Sequence, residues 1–217
     1  MVSAQFPFPW SYARQNNDSQ LRVDRSVRSQ PDRTSVSESG LDDSELVQRS
    51  LKGDRHSFRL LYRRYHDRVR STLYQLCGSS QLDDLVQEVF LRAWKGLPKF
   101  QKRSQFSTWL YRISCNVASD RRRKLAKQAP ATAEVETNLA AGDRSELMEL
   151  HYRDLVQRGL ESLSWEHRAV LVLHDLEDLP QKEVAQILQV PVGTVKSRLF
   201  NGRAAMRKFL EAEGVQL

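Results

Sequence analysis

Long apolar runs are missing from this chain. No stretch of eighteen consecutive apolar residues occurs, which argues against a membrane-spanning helix. The opening MVSAQFPFPWSYARQ has neither a basic leader nor a continuous apolar segment, so it does not read as a signal peptide. Cysteine is nearly absent: Cys77 and Cys115 stand alone in apolar helical pattern. That excludes a disulfide framework and suits buried, reduced thiols in a cytoplasmic protein. The five histidines (56, 66, 151, 167, 174) are scattered, with no Cys or carboxylate at ligand spacing. No phosphate-cradling glycine loop, nucleophile elbow or carboxylate pair stands out. The expectation is a non-enzyme without metal or cofactor. Strand-period alternation and internal repeats are missing too, which leaves an all-α chain.

What is present is charge, unevenly distributed. The net charge is +7. Residues 41–127 hold 19 Lys and Arg against 9 Asp and Glu, whereas 145–217 hold 9 against 11. A broadly basic first unit and an acidic second unit with one basic helix both point to nucleic acid.

Residues 1–40 are polar and read as a disordered extension; its Phe6-Pro7-Phe8-Pro9-Trp10 cannot be helical. Residues 41–127 read as a helical domain. Asp42 and Ser44 offer N-caps to a first helix. Phe58, Leu61, Tyr62, Tyr65, Val69, Leu73 and Leu76 recur at three and four residues on a second, until Gly78-Ser79-Ser80 breaks it. A third starts at Asp83, with an inner face of Leu82, Leu85, Val86, Val89, Phe90, Ala93 and Leu97. Pro98 stops it. A fourth runs from about Gln105, burying Phe106, Leu110, Ile113 and Val117. Residues 128–144 are small and aperiodic, a flexible linker. The 145–217 domain holds four helices. The first buries Leu147, Leu150, Leu155 and Leu160; the second buries Val170, Leu171 and Leu173, with Ser164 as N-cap.

The last two helices carry the sharpest signal. Gln181 to Leu188 and the helix after Pro191 have the layout of a helix-turn-helix, cored by Val184, Ile187, Leu188, Val190, Val195 and Leu199. Lys196, Ser197 and Arg198 fall on the first turns of the second helix, where side chains reach base edges. Arg203, Arg207 and Lys208 fall where phosphates lie, and no acid occurs from 196 to 208. The plainer alternative is a helical hairpin with a solvated basic face. Gln189 occupies the turn position often given to Gly, at a cost of about 1 kcal/mol if left-handed.

Two further patterns need an account. Asp84, Gln87, Glu88, Leu91 and Lys95 form an outer stripe on the third helix. Phosphates would repel its acids, so it reads either as an ordinary solvated face or as a protein-docking face for a cationic partner. Aromatics and cations interleave from Phe100 to Lys127, a pattern suited to unpaired bases, although Phe106 shares the core face and packing is the simpler role for each ring.

Together these pieces resemble a bacterial sigma factor of the extracytoplasmic-function type, the smallest subgroup of the sigma-70 family. The carriers are Asp83-Asp84-Leu85-Val86-Gln87-Glu88-Val89-Phe90-Leu91-Arg92-Ala93-Trp94, then Phe106-Ser107-Thr108-Trp109-Leu110-Tyr111-Arg112-Ile113 with Asn116, then Pro191 to Leu199. The resemblance implies a region 2-like bundle and a region 4-like helix-turn-helix domain. Its partners would be core RNA polymerase (β′ clamp helices and β subunit) and promoter DNA. Asp83, Asp84, Gln87, Glu88 and Leu91 would dock the clamp helices. Lys102, Ser104, Phe106, Trp109 and Tyr111 would melt the −10 element and hold a flipped base. Asn116, Ser119, Asp120, Arg121 and Arg122 would contact the −10 region. Thr194, Lys196, Ser197, Arg198, Arg203 and Arg207 would read the −35 element. The resemblance also allows for an anti-sigma protein. The competing reading is a self-sufficient regulator that binds duplex DNA without polymerase.

Overall fold

The computed structural model describes residues 41–101, 104–128 and 144–216, with side chains described except at 128 and 144–150. The readings of 1–40, of most of the linker, of Lys102 and of the burial of Leu147 and Leu150 therefore lie outside the described residues. Among the described residues there is no strand. The elements are α1 (Asp43–Leu51), α2 (Arg55–Cys77), α3 (Leu82–Gly96), α4 (Phe106–Gln128), α5 (Arg144–Ser162), α6 (Trp165–Leu171), α7 (Gln181–Leu188) and α8 (Val192–Ala212).

Helix boundaries follow local chemistry. Asp42, not Ser44, caps α1, accepting from the Glu45 N–H at 2.7 Å, which satisfies one of the orphan donors of a first turn. Asp54 does the same for α2 through His56 and Ser57. α2 ends at Gly78, whose φ of 77° only glycine adopts cheaply. α3 begins one residue earlier than the spacing suggested, with Gln81 left-handed at φ 58° and no side-chain cap. The dipole is met instead by Asp83 and Asp84 in the first turn. α3 passes into a 3-10 turn, Leu97–Lys99, around Pro98. Ser164 caps α6, as its position suggested.

The first bundle, α1 to α4, packs around Leu46, Leu61, Val69, Leu73, Val89, Ala93 and Leu110, all buried. Ile113 is only half-buried; Tyr111, Ser114 and Cys115 take the deep positions instead. The second bundle, α5 to α8, centres on Leu160, Val170 to Leu173, Val184, Ile187, Val195, Leu199 and Met206. Between α6 and α7 the chain widens into a π-helical turn, Val172–Leu176. Its i+5 bond from Glu177 N–H to the Val172 carbonyl is 3.0 Å. From that turn Asp175 reaches Arg203 of α8, and Glu177 reaches Thr72 and Tyr111 of the first bundle. At Gly159 an added Cβ would lie 2.5 Å from the Met206 sulfur, so the bare backbone lets α5 approach α8.

The two bundles are docked on each other, α2 against α5 and α4 against α7. Sequence pattern alone suggested independent domains on a tether. The buried apolar residues of the two bundles join in one core, and side-chain hydrogen bonds cross between them over 66 to 105 residues of sequence, which no local periodicity encodes.

Candidate nucleic-acid and protein interfaces

The stripe on α3 borders a groove of about 740 Å³. Its floor is aromatic: Phe58 meets Trp94 edge-on at 4.8 Å, and Tyr62 meets Phe90 at 4.6 Å. Its rim carries Asp83 and Asp84 beside Gln87 and Leu91, together with Arg55 and His66. Leu91 is 46% exposed and Trp94 38%, a costly display of apolar area unless a partner covers it. Phe58, Tyr62 and Trp94 were not among the residues expected there. The spacing of Phe58 and Tyr62 predicts the inner face of α2, whereas Trp94 lies three residues after Leu91 and continues its stripe. Glu88 is half-buried and turned aside, bonded to Arg92 Nε at 2.7 Å. Arg92 in turn holds Asp120 of α4 at 2.9 Å. These two hydrogen bonds, the Asp120 one first, raise the guanidinium pKa. Asp83 is bonded to Arg70 of α2.

α4 distributes its expected contact residues over three sides. Phe106 is buried at 4% exposure and Tyr111 at 5%, so neither ring lies at the surface. The Tyr111 hydroxyl donates to Glu177 at 2.9 Å; burial first, and the Glu177 charge second, raise its pKa. Trp109 is half-buried, tilted on Phe100 at 5.0 Å, and its ring rests 3.2 Å from where a Cβ on Gly96 would stand. Asn116 is exposed, and Ser119, Asp120 and Arg121 are half-buried. Arg122 lies over the Trp165 ring at 5.6 Å. Ser104 is half-buried in the loop before α4.

The helix-turn-helix forms as its spacing suggested. Gln189 takes φ 56° and ψ 43° at the turn, and Val190 N–H returns to the Ala185 carbonyl at 3.1 Å. On α8, Lys196, Ser197 and Arg207 are exposed, while Thr194 and Arg198 are half-buried. Ser197 Oγ donates to the Thr194 carbonyl at 3.0 Å. Arg203 is placed differently from its neighbours. Its Nε and terminal nitrogen donate to Asp175 at 3.0 and 2.6 Å, and that hydrogen bonding raises its pKa. Phe200, not among the expected contact residues, is 76% exposed. It stands three and four residues beyond Ser197 and Lys196, on their face of the helix. An apolar residue breaking a run of cations at that spacing was the available signal.

Residues 61–128 match the Sigma-70 region 2 family, and residues 153–206 match Sigma-70 region 4. The chain is 35% identical over 177 residues to the ECF RNA polymerase sigma-E factor of Escherichia coli K12, spanning 76% of this chain and 93% of that protein. The chain belongs to the ECF family of RNA polymerase sigma factors. SigW of Bacillus subtilis is similar at 33% identity over 176 residues, 94% of its length. The solved structure of CnrH in complex with the cytosolic domain of CnrY superposes with a TM-score of 0.59 at 26% identity, over 77% of this chain and 96% of CnrH. This sigma factor therefore works with RNA polymerase in initiating transcription. Its region 2 match takes in α4 and the α3 groove apart from Arg55 and Phe58, and its region 4 match takes in the helix-turn-helix up to Met206. No described helix of the ECF factor is long and apolar enough to cross a membrane.

Proposed function

We propose that this sigma factor docks core polymerase through the α3 groove, melts and holds the −10 element on α4, and reads the −35 element with α8. The observation that carries it is the pairing on one chain of an aromatic groove, rimmed in part by acids, with a basic, surface-facing recognition helix. In the groove, Asp84 and Gln87 meet cations and polar groups of the β′ clamp helices, while Leu91 and Trp94 take their apolar residues. Asp83 and Glu88 act from the rim by holding Arg70 and Arg92. The β subunit is a further contact.

On α4, Asn116, Ser119, Arg121 and Arg122 contact the −10 strand, joined by Lys102 and Ser104, which precede them in sequence. Trp109 is the ring nearest to a flipped base. Phe106 and Tyr111 support that face from inside, and Asp120 anchors it to α3 through Arg92. On α8, Lys196, Ser197 and Arg198 read base edges beside the helix N-terminus. Phe200 packs on a thymine methyl, Arg207 takes phosphate, and Thr194 fixes Ser197. No residue is asked for bond chemistry. Extruding bases costs a few kcal/mol each, offset by strand and phosphate contacts and by the high effective concentration of tethered domains on polymerase. The protein acts in the cytoplasm. As CnrH is bound by the cytosolic domain of CnrY, a small anti-sigma partner is proposed here as well.

The test is run-off transcription of fragmented genomic DNA by bacterial core polymerase, with and without this protein, mapping 5′ ends. New starts that share two upstream elements are expected. Tight duplex binding by the chain alone, with no new starts, would replace this reading with a self-sufficient regulator.

A further inference from the structure

We propose that Phe6-Pro7-Phe8-Pro9-Trp10, in the chain's own N-terminal extension, lies along the α3 groove when core polymerase is absent, and that polymerase displaces it. The displacement rests on the groove being the polymerase contact; the occupancy does not. Tyr62, Leu91 and Trp94 are exposed around the groove, with the buried Phe90 and half-buried Phe58 lining it between them. In a free protein such an apolar face favours a cover. The chain carries an apolar segment to match. Phe6, Phe8, Trp10 and Tyr12 fall within seven residues, and no further aromatic occurs before Phe58. Neither bundle's core pattern uses these rings.

Shape and length agree. Proline holds φ near −65° and keeps the residue before it extended. Pro7 and Pro9 therefore set the segment toward a polyproline II helix, with three residues per turn and a rise of about 3.1 Å. Phe6 and Pro9 then share one edge, Pro7 and Trp10 the next, and Phe8 the third, so every rotation presents rings or proline to a groove. From Phe6 to Trp10 that helix spans about 12 Å. In the groove, Phe58, Tyr62 and His66 follow one another every four residues along α2, also about 12 Å from first to last at 1.5 Å per residue. Phe58 meets Trp94 at 4.8 Å, Tyr62 meets Phe90 at 4.6 Å, and Tyr62 meets His66 at 5.1 Å. The floor is thus a row of rings as long as the segment. The two prolines also limit the freedom the segment has to lose on docking, as in other proline-rich ligands of aromatic grooves.

Connection and charge favour this segment over one from another molecule. The described chain begins at Leu41, whose carbonyl accepts from Arg64 of α2 at 2.9 Å; Arg64 is two residues from both Tyr62 and His66. Thirty residues join Trp10 to Leu41. A coil of that length has an r.m.s. span of roughly 30 Å, against a helix width of about 10–12 Å. The groove is within reach, at an effective concentration on the order of millimolar. No acid occurs from residue 1 to 17, and Arg14 follows Trp10 by four residues. The pairings of Phe58 with Trp94 and Tyr62 with Phe90 put Asp83 and Asp84 at the His66 end of the groove and Arg55 at the other. With Trp10 at the His66 end, Arg14 meets the two carboxylates, and the uncharged residues before Phe6 pass Arg55 without repulsion.

The test places the photo-crosslinker p-benzoylphenylalanine at Phe8 of the full chain, with Ser26 as the control position. Irradiation of the free protein should join position 8 to peptides from 55–66 or 83–94 at least five-fold more often than position 26, in a monomeric product. Leu91→Arg, at an exposed groove position, and Phe6→Ala/Trp10→Ala, outside both bundles, should each cut that yield at least five-fold. Saturating core polymerase should do the same. Crosslinks to other surfaces, or a yield at position 8 no higher than at 26, would overturn the proposal. Crosslinked dimers would overturn it in favour of a second copy of the chain. Groove crosslinks that persist in protein co-migrating with polymerase would keep the segment's site, overturn its displacement and reject the groove as the polymerase contact. Groove crosslinks in a chain that binds no polymerase would keep the site while the polymerase reading fails.

Discussion

Gln189 holds the turn of the helix-turn-helix in the left-handed region, φ 56° and ψ 43°, where a Cβ costs about 1–2 kcal/mol. Its side chain is exposed and sits at the end of α7. Gln189→Gly should therefore raise the unfolding free energy by roughly 0.5–1 kcal/mol, read from the urea midpoint, with promoter affinity unchanged. A lower midpoint would mean that the Gln189 side chain makes a contact that outweighs its strain. Arg203 poses the opposite case, a residue whose chemistry suggested DNA and whose geometry says brace. It grips Asp175, whose side chain is 9% exposed, from a guanidinium that is itself 40% exposed. Discounted for that exposure, Arg203→Ala should cost about 1–2 kcal/mol of stability and weaken all −35 sequences alike. Arg198→Ala should instead flatten the preference among −35 variants at little cost in stability. Denaturant melts paired with binding across a set of single-base variants separate the two. A sequence-selective loss in Arg203→Ala would return that residue to base reading.

At the scale of elements, α3 does two jobs with two faces. Its inner face fills the core through Val89 and Ala93. Its outer face leaves Leu91 and Trp94 over an aromatic floor. Because Trp94 is 38% exposed, Trp94→Ala should move the melting temperature little. It should weaken core polymerase binding by roughly 30-fold, the loss of about 2 kcal/mol typical of an interfacial tryptophan. Unchanged affinity in a competition assay against a labelled sigma factor would remove the groove from docking. Helices, caps and the helix-turn-helix were legible because each is a local pattern: Asp42 and Ser164 precede their helices, and Val184, Ile187, Val195 and Leu199 repeat at helical spacing. The acidic stripe was legible as an anomaly of charge. Its aromatic half was not, since Phe58 and Tyr62 belong to α2 and meet Trp94 only through packing. Nor was the burial of Tyr111, whose hydroxyl is held by a carboxylate 66 residues away.

For the molecule as a whole, the buried carboxylate between the bundles makes the strength of their docking depend on protons. Glu177 sits on the turn after the π-helical segment and faces Tyr111 of α4 and Thr72 of α2, with Arg68 of α2 and Asp178 of its own loop acting at longer range. Burial raises its pKa more than its hydrogen bonds and Arg68 lower it. The sign follows: a carboxyl that is harder to ionise in the docked bundles than in separated ones favours docking below the ordinary carboxylate pKa. That contribution is lost as pH rises through the raised value of the docked form. Glu177→Gln keeps the shape without the charge, so it should be neutral at acid pH and more strongly docked than wild type at neutral pH. Small-angle scattering of both proteins from pH 4.5 to 7.5 checks this. The wild type should expand as pH rises while Glu177→Gln stays compact. Two parallel, flat profiles would mean that the carboxylate stays ionised in the interface and that its hydroxyl partners fully compensate its burial.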